Sequence, residues 1–534
     1  MLFIFNANLK RNMINSQMKR VNSFVVFLFV LMLYNETFAQ QKKMITITGR
    51  VTSAHVGTPL SGVSVRVNAR PIATASEYNG AYTITFPETV SPTLVFSGKG
   101  LQAVEVPVGG EQVVDVEMEK KQFVWDDFQI LPDFHLNRFK DQDNGLRGLS
   151  EGFFTVANAA DPQNVELCEQ LGLGVIITEA PHLREKDWLQ FSDAEIDQKI
   201  KRMVENGGDN DAIIGYYLAD EPHVSAFPAL GKAVAAVKKY APGKLAYINL
   251  YPDHGTIMKD GKLKSQLGTN SYTEYLERYV HEVKPQFICY DNYRVQYSND
   301  LRNMKTGAGY FNNLLEVRRI ALKYGLPFFN IVSANQIRPR TPIPSPANML
   351  LQAYTTIAAG ARGVQWYTYH STNWKSVYGY PPLDENENKT LTWRYLAEVN
   401  RQLSVLGPIM KTLTSTGVYF TEPALVNTLP LLPGSWVEEL ESDVPMMIGE
   451  FEDKNGEKYI MVVNLSLERS AKFFIRTKIP DEKMWMVSAG DMGQLLPVHE
   501  VTRPDLGVKA GYWLVAGQGV LLKCGGVSSK EAAF

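Results

Sequence analysis

The sequence predicts an α/β fold, a (β/α)8 TIM barrel flanked by an N-terminal and a C-terminal β-sandwich domain. Between residues 150 and 410, short apolar runs alternate with amphipathic helical patterns, which is typical of a parallel sheet covered by helices. Residues 44–119 and 411–525 instead alternate apolar and polar residues in short runs separated by Gly, Pro and Asn. The 534-residue chain is long enough for three or four such units.

The N-terminal 39 residues have the pattern of an export signal. Lys19 and Arg20 precede an apolar run at 24–33, and residues 37–39 offer small side chains before a cleavage point. The apolar run is too short to span a membrane comfortably, so we expect no membrane span after signal removal. Met18 is a more natural start than Met1. The expected location is the periplasm, the outer surface or the medium.

Composition excludes several classes of function. The chain has 54 basic and 56 acidic residues and a net charge of -2, so nothing indicates a nucleic-acid or anionic-membrane partner. The three cysteines, Cys168, Cys289 and Cys524, lack the spacing of a disulfide framework or a metal site. We therefore expect a carbohydrate partner, no metal and no cofactor.

The first domain, residues 44–119, is predicted to be a small β-sandwich. Its strands are expected at 45–51, 62–67 and 81–86, and residues 77–80 are expected to form a hairpin turn because Asn-Gly tolerates positive φ. The segments 49–51, 59–65, 79–82 and 94–97 carry a resemblance to the carboxypeptidase-regulatory-like domain. The resemblance covers nearly the whole segment. It implies a structural or spacing element of the kind found on exported proteins of Bacteroidetes-type bacteria.

The barrel domain is predicted to cover residues 125–410. Seven strands are expected at 152–157, 174–178, 213–218, 245–250, 287–290, 327–332 and 363–367. Helices are expected at 162–171, 193–205, 226–240, 272–283, 312–324, 346–360 and 392–405. The eighth strand is assigned to 128–132, and the polar stretch 137–149 after it shows no clear helix, so the first unit is expected to be irregular. An open doubly wound sheet is the main rival, but no Gly-x-Gly-x-x-Gly fingerprint supports it.

The last domain, residues 411–525, returns to period-two strands. Runs at 446–451 and 458–464 flank residues 453–456, which are predicted to form a hairpin turn. This region resembles the C-terminal β-sandwich appended to many glycosidase barrels, and the resemblance implies a packing role.

Carboxylates, amides and aromatic residues concentrate where the predicted barrel strands end, which is where this fold places its catalytic residues. The fourth strand runs through apolar residues into Asp220 and Glu221 and is stopped by Pro222, which cannot donate to a ladder. Amides and carboxylates bind sugar hydroxyls, and aromatic rings stack on sugar faces. The predicted substrate contacts are Trp366, Tyr290, Tyr293, Asn249, Asn335, Tyr369, Glu179 and His223.

Asp220-Glu221-Pro222 on strand four and Trp366 on strand eight resemble the pattern of the large clan of retaining (β/α)8 glycoside hydrolases, which has Asn-Glu-Pro on strand four. The resemblance covers about half the chain. It implies that Glu221 is the acid/base, that Asp220 contacts the sugar's 2-substituent and that Trp366 is a stacking platform. The clan's nucleophile is a second glutamate at the end of strand seven.

The seventh predicted strand departs from that pattern, because residues 329–335 contain no carboxylate. Three solutions stay open. The substrate's own N-acetyl group acts as nucleophile with Asp220 orienting it, Asp291 acts as nucleophile or as base for water, or the site is degenerate and only binds. Carboxyl groups about 5 Å apart would favour retention of anomeric configuration, and groups roughly 6.5–9.5 Å apart would favour inversion.

The histidines of the rim, His182, His223, His254 and His370, lack a two-His helical spacing and are expected to support neighbouring groups by hydrogen bonds rather than bind metal. The sequence therefore predicts an exported glycoside hydrolase with Glu221 as general acid and Asp220 or Asp291 as the second carboxylate. Negative charge on Asp220 would raise the pKa of Glu221.

Two other classes of function remain as alternatives. The first is a non-catalytic glycan-binding surface protein, which the missing strand-seven carboxylate supports. The second, ranked last, is a polysaccharide lyase, because only Arg294 and Arg338 are basic near the strand ends.

Overall fold

The computed structural model describes residues 43–67, 72–88, 92–98, 100–109, 112–133, 142–178, 185–259, 262–294, 307–338, 341–370, 377–421, 434–479, 484–490, 493, 495–498, 500–503 and 507–525. The chain divides into two compact units. One consists of residues 1–98 and 103–119, and the other of residues 99–102 and 120–534. The predicted signal segment, 1–39, lies outside the described residues.

The first unit contains two small sheets. One has the strand order Ala81–Pro87, Met44–Ser53, Val116–Met118, and the other has the order Ala73–Ala75, Ser64–Val67, Thr93–Ser97, Val104–Pro107. Alternate side chains of these strands are fully buried, among them Ile47 and Val65. The ring of Tyr82 in the first sheet packs edge-on against Phe96 in the second, with centroids 5.4 Å apart. The predicted β-sandwich is confirmed.

The turn at 77–80 is present but does not join a hairpin. The amide of Gly80 donates to the carbonyl of Glu77, and Gly80 has a φ of 78°. The strand before the turn pairs with Ser64–Val67 and the strand after it pairs with Met44–Ser53, so the chain crosses between sheets here. Asn-Gly chemistry predicted a tight turn, but strand pairing depends on partners that are distant in sequence.

The second unit is built around eight parallel strands, as predicted. In chain order they are Gln129–Pro132, Val156–Ala160, Gly174–Ile177, Ile213–Asp220, Leu245–Leu250, Ile288–Asp291, Phe328–Ser333 and Gly363–Tyr367. From the second strand onward each strand pairs with the next in sequence, and the eighth pairs with the first. The first and second strands meet through the amide of Thr155, which donates to the Ile130 carbonyl at 2.9 Å. The sheet is therefore a nearly closed barrel.

Helices follow the strands, and seven of those in the described residues lie where the sequence predicted a helix. The helices are Gln142–Glu151, Val165–Gln170, Glu185–Trp188, Asp193–Gly207, Phe227–Tyr240, Tyr272–Arg278, Gly307–Tyr324, Pro346–Ala358 and Leu391–Thr412. The first of these corrects the expectation of an irregular first unit. Its buried side chains, Leu146 and Leu149, are one turn apart, which is too short an apolar stripe to stand out among polar neighbours.

The C-terminal part of the second unit forms two antiparallel sheets. The larger has the order Thr414–Phe420, Met446–Glu452, Lys458–Asn464, Gly519–Cys524, Met484–Val487, Leu495–Pro497, and the smaller has the order Val437–Ser442, Ala471–Thr477, Gly507–Leu514, Glu500–Arg503. The predicted hairpin at 453–456 joins two paired strands and is confirmed. Gly449 lies against the carbonyl of Ala358, so the larger sheet packs closely on a barrel helix.

Within the described part of the chain, no helix has the length and apolar character needed to cross a bilayer. Cys168, Cys289 and Cys524 are buried free thiols.

Candidate active site

The alternation of side chains along each barrel strand decides which residues reach the barrel mouth. On strand five, Leu245 and Tyr247 belong to the core inside the barrel, whereas Ala246 and Ile248 pack outside it against the helices. Asn249 is the next residue on the inner side. The same alternation on strand six directs Cys289 inward and Tyr290 outward. Only the inward positions at the strand ends can face a substrate.

A bulge on strand four places Asp220 on the inner side. The pairing of strand four with strand five shifts register between Tyr217 and Ala219, after which Asp220 lies opposite Asn249. The side-chain amide of Asn249 donates to Asp220 Oδ1 at 2.9 Å. This bond fixes the orientation of Asp220 at the mouth of the barrel.

Glu221 follows in an unusual backbone conformation. Its φ is 44°, in the left-handed region that side chains other than glycine rarely adopt. Two bonds hold the turn: the Glu221 amide donates to the Asn249 carbonyl at 2.9 Å, and the Tyr275 hydroxyl donates to the Pro222 carbonyl at 2.7 Å. Held strain of this kind is concentrated at functional sites.

Asp291 meets Glu221 across the mouth of the barrel. It is the last residue of strand six and is buried. Glu221 and Asp291 approach closely enough for the charge of Asp291 to raise the pKa of Glu221, and the Tyr293 hydroxyl lies close enough to lower the pKa of Asp291. Asp291 Oδ1 has no hydrogen-bond partner among the described residues. Two of the three carboxyls predicted for catalysis therefore form an interacting pair.

Burial and mutual repulsion separate the pKa values of this pair. Burial, followed by the charges of Asp291 and Asp220, raises the pKa of Glu221 to about 10. Burial and the charge of Asp220 raise the pKa of Asp291 to about 7, while the bonds from Tyr293 and Glu221 oppose the rise. At neutral pH, Glu221 holds a proton and a large fraction of Asp291 is ionised. A neutral acid beside an ionised carboxylate is the combination that glycoside hydrolysis requires.

The Asp220 side chain is partly exposed to solvent and partly enclosed by protein. Part of its surface is open to solvent at the barrel mouth, yet protein surrounds the carboxyl on its other sides. This burial raises the pKa of Asp220, and the hydrogen bond from Asn249 opposes the rise.

A fourth carboxylate, Asp133, was missed by the sequence analysis. It is buried directly after strand one and accepts a hydrogen bond from Gln365 Nε2 at 2.7 Å. The Tyr247 hydroxyl in turn bonds to Gln365 and to the Cys289 sulfur. The charge of Asp133 also raises the pKa of Glu221. The predicted first strand ends at Pro132, and Asp133 is the inward-facing residue directly after it.

The aromatic side of the mouth is formed by tyrosines rather than by the predicted tryptophan. Tyr293 stacks on Tyr367 with ring centroids 5.3 Å apart, and Tyr378 meets Tyr367 edge-on at 5.4 Å. Trp366 is fully buried, and its indole N–H donates to Asn400 Oδ1 at 2.8 Å. The stacking role predicted for Trp366 is wrong because strand eight directs Tyr367 inward and Trp366 toward the helices.

Three further predicted substrate contacts are fully buried away from the open mouth. Tyr290 packs outside the barrel in the core shared with the helices. The hydroxyl of Tyr369 accepts a hydrogen bond from Trp393 Nε1 at 3.1 Å, and Asn335 Oδ1 accepts one from Ser333 Oγ at 3.0 Å. These side chains support the barrel wall, and the structure contradicts their predicted contact with substrate.

The remaining rim predictions have mixed outcomes. The His223 ring accepts from the Ser225 amide and caps the helical turn that follows, so it serves the backbone. His254 pairs with Asp253 at 3.0 Å. Glu179 and His182 lie outside the described residues. Across the described ranges, no group of three or more His, Cys, Asp or Glu side chains is arranged to hold a metal ion.

Strand seven ends as the sequence analysis expected. Its last residue, Ser333, occupies the inward position and bonds to Asn335. No carboxylate stands there, so the described part of the site offers Asp291, on the neighbouring strand, as the partner of Glu221.

The raised pKa of Glu221 predicts that Glu221→Gln stabilises the protein at alkaline pH. A carboxyl whose folded pKa exceeds its unfolded value contributes stability that is fully present below pH 4.5 and is lost as pH rises toward about 10. Glutamine removes this loss. The free energy of unfolding of the variant should exceed that of wild type by on the order of 1–3 kcal/mol at pH 8, with little difference at pH 4.5.

Thermal or denaturant unfolding at both pH values measures this difference. Glu205→Gln is the matched control, because Glu205 is exposed and pairs only with Lys201 one helical turn away. Equal stability of Glu221→Gln and wild type at both pH values would show that the folded protein does not hold Glu221 protonated.

Known proteins match the N-terminal domain by sequence and the barrel unit by structure. Residues 47–126 match the family model described as CarboxypepD_reg-like domain. TonB-dependent receptor P3 of Formosa agariphila is 31% identical over 108 residues, which is 20% of this chain. The chain spans about 10% of the length of that receptor. The N-terminal unit therefore contains a CarboxypepD_reg-like domain, as the sequence predicted.

Solved structures resemble the barrel unit. A catalytic mutant of a GH42 beta-galactosidase from G. stearothermophilus aligns with a TM-score of 0.51 at 8% identity, covering 75% of this chain and 98% of that chain. The GH51 arabinofuranosidase from Xanthomonas axonopodis pv. citri aligns with a TM-score of 0.42 at 11% identity, covering 76% and 97%. A beta-galactosidase from Marinomonas ef1 aligns with a TM-score of 0.40 at 9% identity, covering 54% and 62%. The first likeness shows that the chain has a TIM-barrel fold, which it shares with the GH42 beta-galactosidase.

Proposed function

We propose that this protein is an exported glycoside hydrolase in which Glu221 is the general acid and Asp291 the second carboxylate. The observation that carries the proposal is the interacting pair of Glu221 and Asp291 at the barrel mouth. With pKa values of about 10 and about 7, Glu221 holds a proton at neutral pH and about half of Asp291 is ionised. Tyr293 and Tyr367 offer an aromatic surface beside the pair, which suits the apolar face of a sugar ring.

The two carboxyls divide the work of bond cleavage. Glu221 gives its proton to the glycosidic oxygen as the bond to the anomeric carbon breaks. The Asp291 carboxylate, held by the Tyr293 hydroxyl, attacks the anomeric carbon and forms a covalent glycosyl ester. Ionised Glu221 then removes a proton from the water that releases the sugar.

The separation of the carboxyls favours retention of anomeric configuration. Inverting enzymes keep roughly 6.5–9.5 Å between the carboxyl groups to admit a water, whereas retaining enzymes keep about 5–5.5 Å. Glu221 and Asp291 lie close enough to shift each other's pKa, which favours the shorter separation of retaining enzymes. Asp220 is a weaker choice as nucleophile because it neighbours Glu221 on one strand and is engaged by Asn249.

The place of action is the cell envelope or beyond. The CarboxypepD_reg-like match and the similarity to a TonB-dependent receptor support an envelope protein. The apolar segment after Lys19 and Arg20 supports export.

A panel of nitrophenyl glycosides, including N-acetylhexosaminides, tests this function. We expect wild type to release nitrophenol from at least one sugar, with NMR showing the retained anomer as the first product. An inverted first product would overturn the role of Asp291 as nucleophile. Cleavage confined to N-acetylhexosaminides and strong inhibition by a thiazoline would favour a substrate-assisted mechanism with Asp220.

The second candidate function is glycan binding without catalysis. The end of strand seven at Ser333, without a carboxylate, favours it. Binding of oligosaccharides by wild type with no hydrolysis across the panel would support this function and exclude the hydrolase.

A further inference from the structure

The mouth of the barrel concentrates carboxyl groups, and those that are ionised at neutral pH give it negative charge. Asp220, Glu221 and Asp291 lie together there, and Asp133 adds its charge from strand one. No Lys, Arg or His side chain in the described ranges forms an ion pair with Asp220, Glu221 or Asp291. A pocket of this charge repels acidic sugars and favours a ligand that carries a positive charge.

Buried hydrogen-bond acceptors that have no donor among the described residues lie beside these carboxyls. Asn249 Oδ1 and Asp291 Oδ1 are buried and have no partner among the described residues. Asn249 already gives its amide to Asp220, so its carbonyl oxygen is left for a ligand. Buried acceptors of this kind cost free energy until a donor reaches them. The ligand that completes the site must therefore be rich in donors.

We propose that the sugar bound in this site carries a free amino group on the carbon next to the anomeric centre, as in glucosamine or galactosamine. The inference rests on the proposed function, because it takes the anomeric carbon to lie beside Glu221 and Asp291. In an aldose that carbon has a single carbon neighbour, C2. In the proposed complex, the substituent on that carbon lies toward Asp220, which is adjacent to Glu221 at the end of strand four.

An ammonium group at C2 satisfies these acceptors better than a hydroxyl or an acetamide at C2 does. Its three N–H donors meet the Asp220 carboxylate and Asn249 Oδ1, and its charge is opposite to that of the pocket. A hydroxyl brings one donor. An acetamide brings one donor and a carbonyl oxygen that would face the carboxylates, while the amide of Asn249 is already committed to Asp220.

Equilibrium binding to the Glu221→Gln variant of the full chain tests the inference without hydrolysis. The probes are methyl glycosides of glucosamine and galactosamine, compared with the parent glucosides and galactosides and with the N-acetyl forms. We expect at least one amino sugar to bind about 10-fold or more tightly than its hydroxyl and N-acetyl counterparts, since charge-assisted hydrogen bonds are involved. Adding Asp220→Asn should reduce the preference to within about 3-fold.

Asn249→Ala in the same background removes the second acceptor together with the amide that orients Asp220, and it should weaken binding of the amino sugar more than binding of its hydroxyl counterpart. Equal or tighter binding of neutral or N-acetylated sugars, or an unchanged preference in the Asp220→Asn variant, would overturn the inference. Wild-type cleavage of neutral sugars alone would overturn it while leaving the proposed hydrolase intact. Selective binding of amino sugars with no cleavage by wild type would support the binding preference and reject the hydrolase.

Discussion

Glu221→Gln should lower kcat/KM about 1,000-fold on glycosides with poor leaving groups. Glutamine has the same shape as protonated glutamic acid but cannot release a proton to the glycosidic oxygen. The loss should shrink on dinitrophenyl glycosides, whose leaving group departs without protonation. Steady-state kinetics on both substrate types measure the contrast, and a loss that depends on the leaving group separates an acid role from a general disturbance of the site.

The same variant offers a check on folding. Because burial and neighbouring carboxylates hold Glu221 protonated, the glutamine variant should be at least as stable as wild type at pH 7. Glu205→Gln, on the outer surface of the helix Asp193–Gly207, should keep full activity. Undiminished cleavage of unactivated glycosides by Glu221→Gln would reject Glu221 as the acid.

Asp291→Asn should cause the larger loss, about 10,000-fold or more, because it removes the proposed nucleophile. Asparagine keeps the size of the side chain and can still bond to Tyr293 and Glu221. Asp291→Gly leaves space for azide to attack the anomeric carbon and displace nitrophenolate. Added azide should therefore restore turnover of nitrophenyl glycosides and yield a glycosyl azide of inverted configuration, which NMR identifies.

Asp253→Asn is the matched control for Asp291. Asp253 lies in the loop after strand five, where it pairs with His254 and Arg294 rather than with the catalytic pair. It should retain most of the wild-type activity. Absence of azide rescue, together with a soluble and folded Asp291→Gly variant, would contradict a nucleophilic role.

The pH dependence of wild type follows from the same pair. Asp291 must be ionised, so kcat/KM should rise as pH passes through about 7. Glu221 must be protonated, so kcat/KM should fall as pH approaches about 10. Since the two carboxyls interact, the two apparent pKa values belong to the pair.

Much of the architecture could be predicted from the sequence because it depends on local patterns of apolar and polar residues. Alternation of apolar runs with amphipathic helices predicted the barrel, and period-two runs predicted both sandwiches. The helix Gln142–Glu151 was not predicted because its apolar stripe consists of only two leucines. The proposed catalytic pair could be predicted in part, because Asp220, Glu221 and Asp291 all lie where predicted strands end.

The rim contacts were harder to predict because a strand directs neighbouring side chains to opposite faces. Trp366 and Tyr290 were chosen for their chemistry, yet both point outward, and Tyr367 and Asp291 beside them point inward. The register shift on strand four resets this alternation before Asp220. A one-residue change of register moves a side chain between the pocket and the core.

By itself, the sequence determined the fold class, the domain order and the position of Glu221 at the end of a barrel strand. These follow from hydrophobic periodicity and from a proline stop, which act over a few residues. Only the tertiary structure brought Glu221 into contact with Asp291 from strand six, added Asp133 from strand one and separated the pKa values of the pair. Barrel closure decided this part of the chemistry, because it buries carboxyls that are distant in sequence beside one another.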